Sequence, residues 1–305
     1  MNKLAIGIDV GGTRTKIGLV DLTLGQVIEK TIFRTETKDA GRFEQMLAEA
    51  IDRCKSRASD MNAQLVGIGI GVSSFVFDNG IVDSTYGFMD FMENYPLANN
   101  IEERHHLPCK VDNDARLVTL GEALFGKGKD FERVLVLTLG TGLGLGFTIN
   151  GKLDGKLPYG HMGGHISIIQ NEVTCYCGKI GCLESLVSAT GIINTAKRLN
   201  WHQKYPDAVF TVESIFKASQ RDNVEAKQIV DAFLFHLKMG VSNYINLYAP
   251  DTIILGGGVA KGLKPYLSLL QHEILLGPYK KYKTNIQISE LEEHSGILGS
   301  AALFY

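Results

Sequence analysis

No run of apolar residues in this sequence reaches the roughly eighteen needed to span a bilayer. The opening Met-Asn-Lys-Leu-Ala-Ile-Gly-Ile-Asp has no apolar stretch of the kind that heads a secreted chain. Neither sign of charge dominates: 31 Lys and Arg face 33 Asp and Glu, a net charge of -2. A dedicated nucleic-acid binder is normally strongly basic. Proline is scarce at 7 residues and there is no Gly-X-Y period, which excludes a collagen-like chain. The five cysteines are an odd number, and three fall between positions 175 and 182, a local cluster that suggests metal or redox chemistry more than a disulfide framework. Together these absences predict a soluble, cytoplasmic protein with no membrane or nucleic-acid partner.

The composition is otherwise that of a globular protein, with 45% hydrophobic and 21% charged residues, and 305 residues allow about two domains. Short β-type runs at 4–9, 15–21 and 27–34 precede an amphipathic helix at 39–61 and a buried strand at 65–72. Residues 75–95 lack periodicity and read as loops. A strand at 109–111 leads into a helix at 115–125. A second segment opens in the same way, with strands at 133–139 and 143–150. Helices near 183–199, 211–219 and 223–248 follow, then a strand at 251–255, a helix to about 276, a strand at 286–288 and a helix at 296–303. This alternation predicts α/β layers.

Glycine is over-represented, at 34 residues, and it clusters. Asp9-Val10-Gly11-Gly12-Thr13, Leu139-Gly140-Thr141-Gly142-Leu143-Gly144 and Leu255-Gly256-Gly257-Gly258-Val259 each follow an expected buried strand. Phosphate oxygens need converging backbone N–H donors, and a Cβ often blocks that approach. Any one cluster is explained equally well as a hairpin closure, but three in this context favour a shared nucleotide site. A Rossmann fingerprint fails, because Gly-x-Gly-x-x-Gly is missed by one residue and a strand, not a helix, follows the turn; no Walker P-loop occurs. The first two turns lie 129 residues apart and suggest one β-turn-β device used twice.

Five blocks resemble the ROK family of bacterial sugar kinases and repressors: Asp9-Val-Gly-Gly-Thr-Arg-Thr-Lys16; Val111-Asp-Asn-Asp-Ala115 followed by Gly121-Glu122; Leu137-Thr-Leu-Gly-Thr-Gly-Leu-Gly144; Gly164-His165 to Cys175-x-Cys177-Gly-x-x-Gly-Cys182-Leu-Glu184; and Leu255-Gly-Gly-Gly-Val259. The resemblance implies an actin-like (ribonuclease H-like) two-domain ATPase fold with an interdomain cleft. The expected domains are 1–115 with about 292–305, and 116–291. ATP phosphates are then expected at Asp9, Gly11, Gly12, Thr13, Lys16, Thr138, Gly140, Thr141 and Gly142, with the adenosine side at Gly256, Gly257 and Gly258. Asp114 matches the family's catalytic base, where a carboxylate takes the proton of an attacking sugar hydroxyl; without the family pattern, helix capping is at least as good an account. Asn113 would hold a sugar hydroxyl, and Asp9 would assist Mg²⁺ through water. His165, Cys175, Cys177 and Cys182 form a tetrahedral Cys₃His set with no open position, hence a structural Zn²⁺. The redox alternative is disfavoured because Cys-x-Cys lacks thioredoxin spacing. His165 and Glu184 match the family's sugar contacts.

Departures from the pattern fall on the sugar side. Met162 stands where a Glu is usual, with His161 beside it, and Arg116 replaces an Asn. Ser73-Ser74 replaces Pro-Gly, and Ser84-Thr-Tyr-Gly-Phe-Met replaces a loop with Asn and Trp. His161 and Ser73 therefore join the candidate sugar contacts. The expected activity is Mg-ATP-dependent phosphorylation of a hexose or N-acetylhexosamine, at the 6-hydroxyl, by a homodimer. A sugar-sensing regulator is the alternative; such members carry an N-terminal helix-turn-helix domain, whereas here the first turn begins nine residues from Met1. An inactive sugar-binding member is a third reading. Cys54 and Cys109 read as core residues, and His105-His106, Lys127–Lys129 and Lys280-Lys281 as solvated surface. Tyr244, Leu247 and Tyr248 fit a core or a dimer face equally.

Overall fold

The computed structural model describes residues 3–77, 79–84, 89–153, 161–170, 173–205, 209–274 and 282–305. The chain divides into two compact units, one of residues 1–132, 146–161 and 290–305, the other of 133–145 and 162–289.

In the first unit β1 (Lys3–Val10), β2 (Arg14–Asp21) and β3 (Gln26–Arg34) lead to helix α1 (Ala40–Asp60), then β4 (Gln64–Val72), the two-residue strands β5 (Phe75–Val76) and β6 (Val82–Asp83), α2 (Leu97–His105), β7 (Cys109–Asn113) and α3 (Asp114–Phe125). The sheet order is β3-β2-β1-β4-β7, with β1 antiparallel to β2 and parallel to β4, and β4 parallel to β7. Period-two alternation sends the side chains of β1 to two cores. Ile6 and Ile8 join Phe43, Leu47, Ile51 and Cys54 of α1, while Ala5 faces Ile297, Leu298 and Ala301. Asp39 caps α1 by accepting from the Arg42 N–H at 3.0 Å.

The latter group belongs to α10 (Ser295–Ala301), which returns to this unit from the end of the chain. Its backbone lies against the sheet at two glycines: a Cβ on Gly7 would sit 1.9 Å from the Ile297 carbonyl oxygen, and one on Gly69 1.8 Å from that of Ser300. Helix α3 packs on α10 by the same means, since a Cβ on Gly299 would meet the Leu117 carbonyl at 1.8 Å. That contact groups residues 116–132 with the first unit, whereas the sequence expectation cut the chain at 115.

The remaining elements are β8 (Arg133–Leu139), β9 (Leu143–Ile149), β10 (Lys152–Leu153), α4 (Glu184–Val187), α5 (Ala189–Arg198), α6 (Trp201–Lys204), α7 (Val212–Ser219), α8 (Val224–Tyr248), β11 (Thr252–Gly256), α9 (Leu267–Ile274) and β12 (Asn285–Ile288). Their sheet runs β10-β9-β8-β11-β12, with β8, β11 and β12 parallel. In both sheets the order is third, second, first, fourth, fifth strand, which extends to topology the repetition seen in the two glycine hairpins. The division between units falls inside β9.

Several expectations need correcting. Residues 97–105, left without an element, form α2, and 75–95 hold two short strands. His105 is not solvated: it is 4% exposed, its Nδ1 3.3 Å from Asp52 Oδ1 and its Nε2 buried, because α2 turns it inward with Ile101 and Leu97. His106 takes the left-handed cap with φ 54° and is exposed. The expected helix at 183–199 breaks at Ser188, whose hydroxyl caps α5 by accepting from Gly191 N. After the third glycine cluster the chain forms a 3-10 helix over Val259–Tyr266 before α9. Pro265 explains the delay, since its ring removes a donor and collides with the preceding turn. Tyr244 is buried and donates to the Gly163 carbonyl at 2.8 Å, while Leu247 is exposed. Cys54 and Cys109 are buried. Lys127 pairs with Glu290 at 2.8 Å; Lys280 and Lys281 lie outside the described residues. Among the described residues no helix is long and apolar enough to cross a membrane.

Candidate active site

In the first unit the parallel strands bring their carboxyl ends to one edge. Register places Asp9 beside Gly71 and Val72 beside Asn113, with Lys16 across from Asp9 on β2. Such an edge is where α/β sheets present their ligand-binding residues. Lys16 Nζ lies 3.0 Å from Asp9 Oδ2, and a Cβ on Gly296 would meet the Asp9 carboxylate at 2.6 Å, so α10 comes close to the first turn. The turn itself is held from behind. Thr35, just past β3, donates its hydroxyl to the Gly11 carbonyl at 2.6 Å and lies 3.0 Å from the Thr15 hydroxyl. Its N–H bonds the Thr13 carbonyl at 3.0 Å. Both threonines are buried.

Asp114 opens α3, but the cap of that helix is Asn113, whose Oδ1 accepts from Ala115 N and Arg116 N. Capping therefore does not account for Asp114. Desolvation by burial, and then the Asp9 charge, push the Asp114 carboxyl up to about 7; the Ala115 N–H and the Ser73 hydroxyl pull the other way. Asn113 Nδ2 donates to the Ser74 carbonyl at 3.2 Å. Ser73, expected at the sugar, also favours the ionised Asp114 carboxyl, and Asn113 holds both the helix start and the Ser73-Ser74 turn. Arg116 is buried and pairs with Asp112 at 2.8 Å, which gives this departure a structural partner. His161 packs against Phe75 with ring centroids 5.0 Å apart, next to the same serines. Thr85 to Phe88 of the altered loop lie outside the described residues.

In the second unit Thr138 pairs with Gly256, so the second turn and the third glycine cluster share an edge. Gly257 sits at φ +84°, and a Cβ there would meet the Leu139 carbonyl at 2.4 Å. A Cβ at Gly140 would meet nothing within 4 Å, which leaves that backbone open to approach.

The cysteine loop folds by short-range bonds: Gly178 N to the Cys175 carbonyl at 2.9 Å and Cys175 N to the Lys179 carbonyl at 2.8 Å. His165, Cys175, Cys177 and Cys182 bring their ligand atoms within 4.8 Å of one another. Cys177 and Cys182 sulfurs are 3.6 Å apart, and Cys175 Sγ is 3.5 Å from His165 Nδ1. A tetrahedral zinc with Zn–S near 2.3 Å needs S···S of roughly 3.8 Å, so the donor set fits. Burial pushes the Cys182 thiol up to about 12; a cation at the centre is what would let these thiols ionise. With Nδ1 facing Cys175 Sγ, His165 Nε2 faces the Tyr176 hydroxyl at 3.1 Å, and a sugar hydroxyl would have to replace that contact. Glu184 is buried, and its Oε2 accepts from Leu143 N at 2.9 Å.

Thr35, Tyr176 and the segment from Ser188 to Thr190 were not found by sequence reasoning. Each is a single residue or short stretch with no spacing signature, and it acquires its role only by contact.

Two α/β units with sheets of matching order, glycine turns at strand ends and a carboxylate beside one of them define an actin-like ATPase fold, the fold of the solved ROK kinases this chain resembles. The ROK family matches residues 5–305, and the chain belongs to that family. It is 33% identical to a glucokinase of Halalkalibacterium halodurans, over 98% of this chain and 94% of that one. A ROK family glucokinase from Streptomyces griseus, solved in complex with glucose and AMPPNP, is 25% identical with a TM-score of 0.81, covering 99% of both chains. A xylose repressor of Caldicellulosiruptor bescii is 25% identical over 98% of this chain and 77% of its own length.

Proposed function

We propose that this ROK-family sugar kinase transfers the γ-phosphoryl group of Mg-ATP to a hexose or N-acetylhexosamine, at the 6-hydroxyl, with Asp114 as general base. The observation that carries the proposal is the Asp114 carboxyl, which is not needed as a cap and is poised near 7 beside the first glycine turn. A base with that value is ionised about half the time at neutral pH, where proton transfer to it is most useful. The glucokinase relative and the glucose and AMPPNP complex favour a hexose and ATP.

Backbone donors of both hairpin turns would receive the phosphates, with Thr13, Lys16, Thr138 and Thr141 adding side-chain donors and Gly256 to Gly258 meeting the adenosine side. Mg²⁺ supplies charge neutralisation on the phosphates, and Asp9 is the acidic group that would hold its water shell. Ser73 would add a hydroxyl that favours the ionised form of Asp114. His161 beside Phe75, together with Asn113, His165 and Glu184, would contact the sugar. Zn²⁺, when bound, supplies a rigid cross-link; His165, Cys175, Cys177 and Cys182 would hold it.

ADP release across a panel of sugars, with ATP and Mg²⁺, tests the reading. Turnover of a hexose or N-acetylhexosamine by the wild type is expected, and its absence on every sugar would overturn the kinase assignment. Metal analysis of freshly prepared protein should find one zinc per chain; less than about half would remove the four-ligand site.

A further inference from the structure

Glu184 is assigned above to the sugar, yet its carboxylate is already engaged with a different part of the protein. Its Oε2 accepts from Leu143 N at 2.9 Å, inside the second glycine turn. Two further bonds join the same two segments. Ala189 N, at the start of α5, donates to the Gly140 carbonyl at 2.8 Å, and the Thr190 hydroxyl donates to the Thr141 carbonyl at 2.9 Å. Residues 184–190 thus hold two carbonyls and one N–H of a four-residue turn. Gly142 fits this contact closely, because a Cβ there would lie 2.7 Å from Glu184 Oε2. Glycine at 142 makes room for the carboxylate, whereas Gly140 has open space before it.

The gripping segment is anchored in turn by the zinc loop. Glu184 follows Cys182 by two residues, Leu183 N bonds the Ile166 carbonyl at 2.9 Å next to His165, and the Ser185 hydroxyl donates to the Cys182 carbonyl at 2.7 Å. A carboxylate accepting a buried backbone N–H makes one of the stronger protein hydrogen bonds, and losing it strands the donor.

We propose that Glu184 is a positioning residue of the phosphate turn, the strut through which the zinc loop sets the shape of Gly140 to Leu143 before any sugar binds. This rests on the reading that the second turn receives ATP phosphates. Because one carboxylate oxygen is held by Leu143 N, the other is the one left for a sugar hydroxyl, and occupancy on the sugar side is mechanically linked to the nucleotide side.

The experiment titrates the full chain with Mg-AMPPNP by calorimetry in the complete absence of sugar. Glu184→Ala should weaken AMPPNP about tenfold, while Glu184→Gln, whose amide oxygen still accepts from Leu143 N, should bind within about twofold of wild type. Thr190→Val, away from the zinc ligands, should weaken it about threefold with zinc content and melting temperature unchanged. This variant decides the matter if Glu184→Ala does not fold. Wild-type affinity in both Glu184→Ala and Thr190→Val overturns the strut and leaves the kinase reading intact. Failure of the wild type itself to bind AMPPNP would instead sink the nucleotide reading on which the strut depends.

Discussion

The two glycine hairpins are similar in sequence but are supported differently. Behind the first stand two buried hydroxyls, Thr15 on β2 and Thr35 immediately after the neighbouring strand β3. Behind the second stands a seven-residue segment from another layer, ending in a carboxylate and a helix start. A hydroxyl pair inside one sheet is fixed as soon as the strands pair. A carboxylate on a loop is fixed only when that loop is itself cross-linked, which is the service a Cys₃His zinc would provide. The first turn lies beside the candidate base and the second beside the candidate metal, so chemistry and cross-linking are assigned to different units.

The largest expected break in this symmetry is chemical. Asp114→Asn should lower turnover by more than about a hundredfold while AMPPNP affinity measured by calorimetry stays near wild type; near-normal turnover would remove Asp114 from its role. The same carboxyl sets a pH window. Since it must be ionised to act and its folded value is near 7 against an ordinary 3.8, kcat/KM should fall about tenfold per unit below pH 7 and level off above it. Linkage has the opposite sense for stability: the unfolded carboxyl ionises first, so wild-type stability should decline between about pH 4 and 7 and then stay flat. Asp114→Asn should lose that slope in chemical denaturation.

Next in size are the supports of the first turn. Thr35→Val removes the donor to the half-buried Gly11 carbonyl and should weaken AMPPNP about tenfold, with Thr35→Ser restoring it. An unchanged affinity would mean that the turn holds its shape without Thr35. The two glycines of the second turn should then separate. Gly142→Ala, crowding Glu184, should lower the melting temperature by about 2–4 °C. Gly140→Ala, facing open space, should leave it unchanged and weaken only nucleotide binding. Smallest of all, Ser73→Ala removes a donor that favours the Asp114 carboxylate, and should move the midpoint of the kcat/KM profile upward by a few tenths of a pH unit.

Motif residues of this site were legible because their spacing is local. The three thiols lie within one loop, and Asn113-Asp114 straddles a strand-to-helix junction that the sequence pattern marks. His105 was misjudged because its burial depends on α2, a nine-residue helix whose apolar positions Leu97, Ala98 and Ile101 are too few to show a period. Arg116, an apparent departure, is understood only once Asp112 is seen paired with it, four residues earlier at the end of β7. The C-terminal helix shows both sides of the limit. Residues 296–303 read as a helix, but the reason for Gly296 and Gly299 emerges only from the Asp9 side chain and the Leu117 carbonyl that press on them.

By itself, then, the amino-acid order determined the alternation of strands and helices and the glycine turns at strand ends, and it offered a candidate metal-ligand set spanning residues 165 to 182 and, through the family resemblance, a candidate base, all of which depend on neighbours within about twenty positions. Tertiary structure alone decided what braces each turn, which oxygen of Glu184 is engaged and where the last helix packs. Those contacts join residues 20 to about 290 positions apart, and a hydrogen bond across such a separation leaves no periodic trace in the chain that makes it.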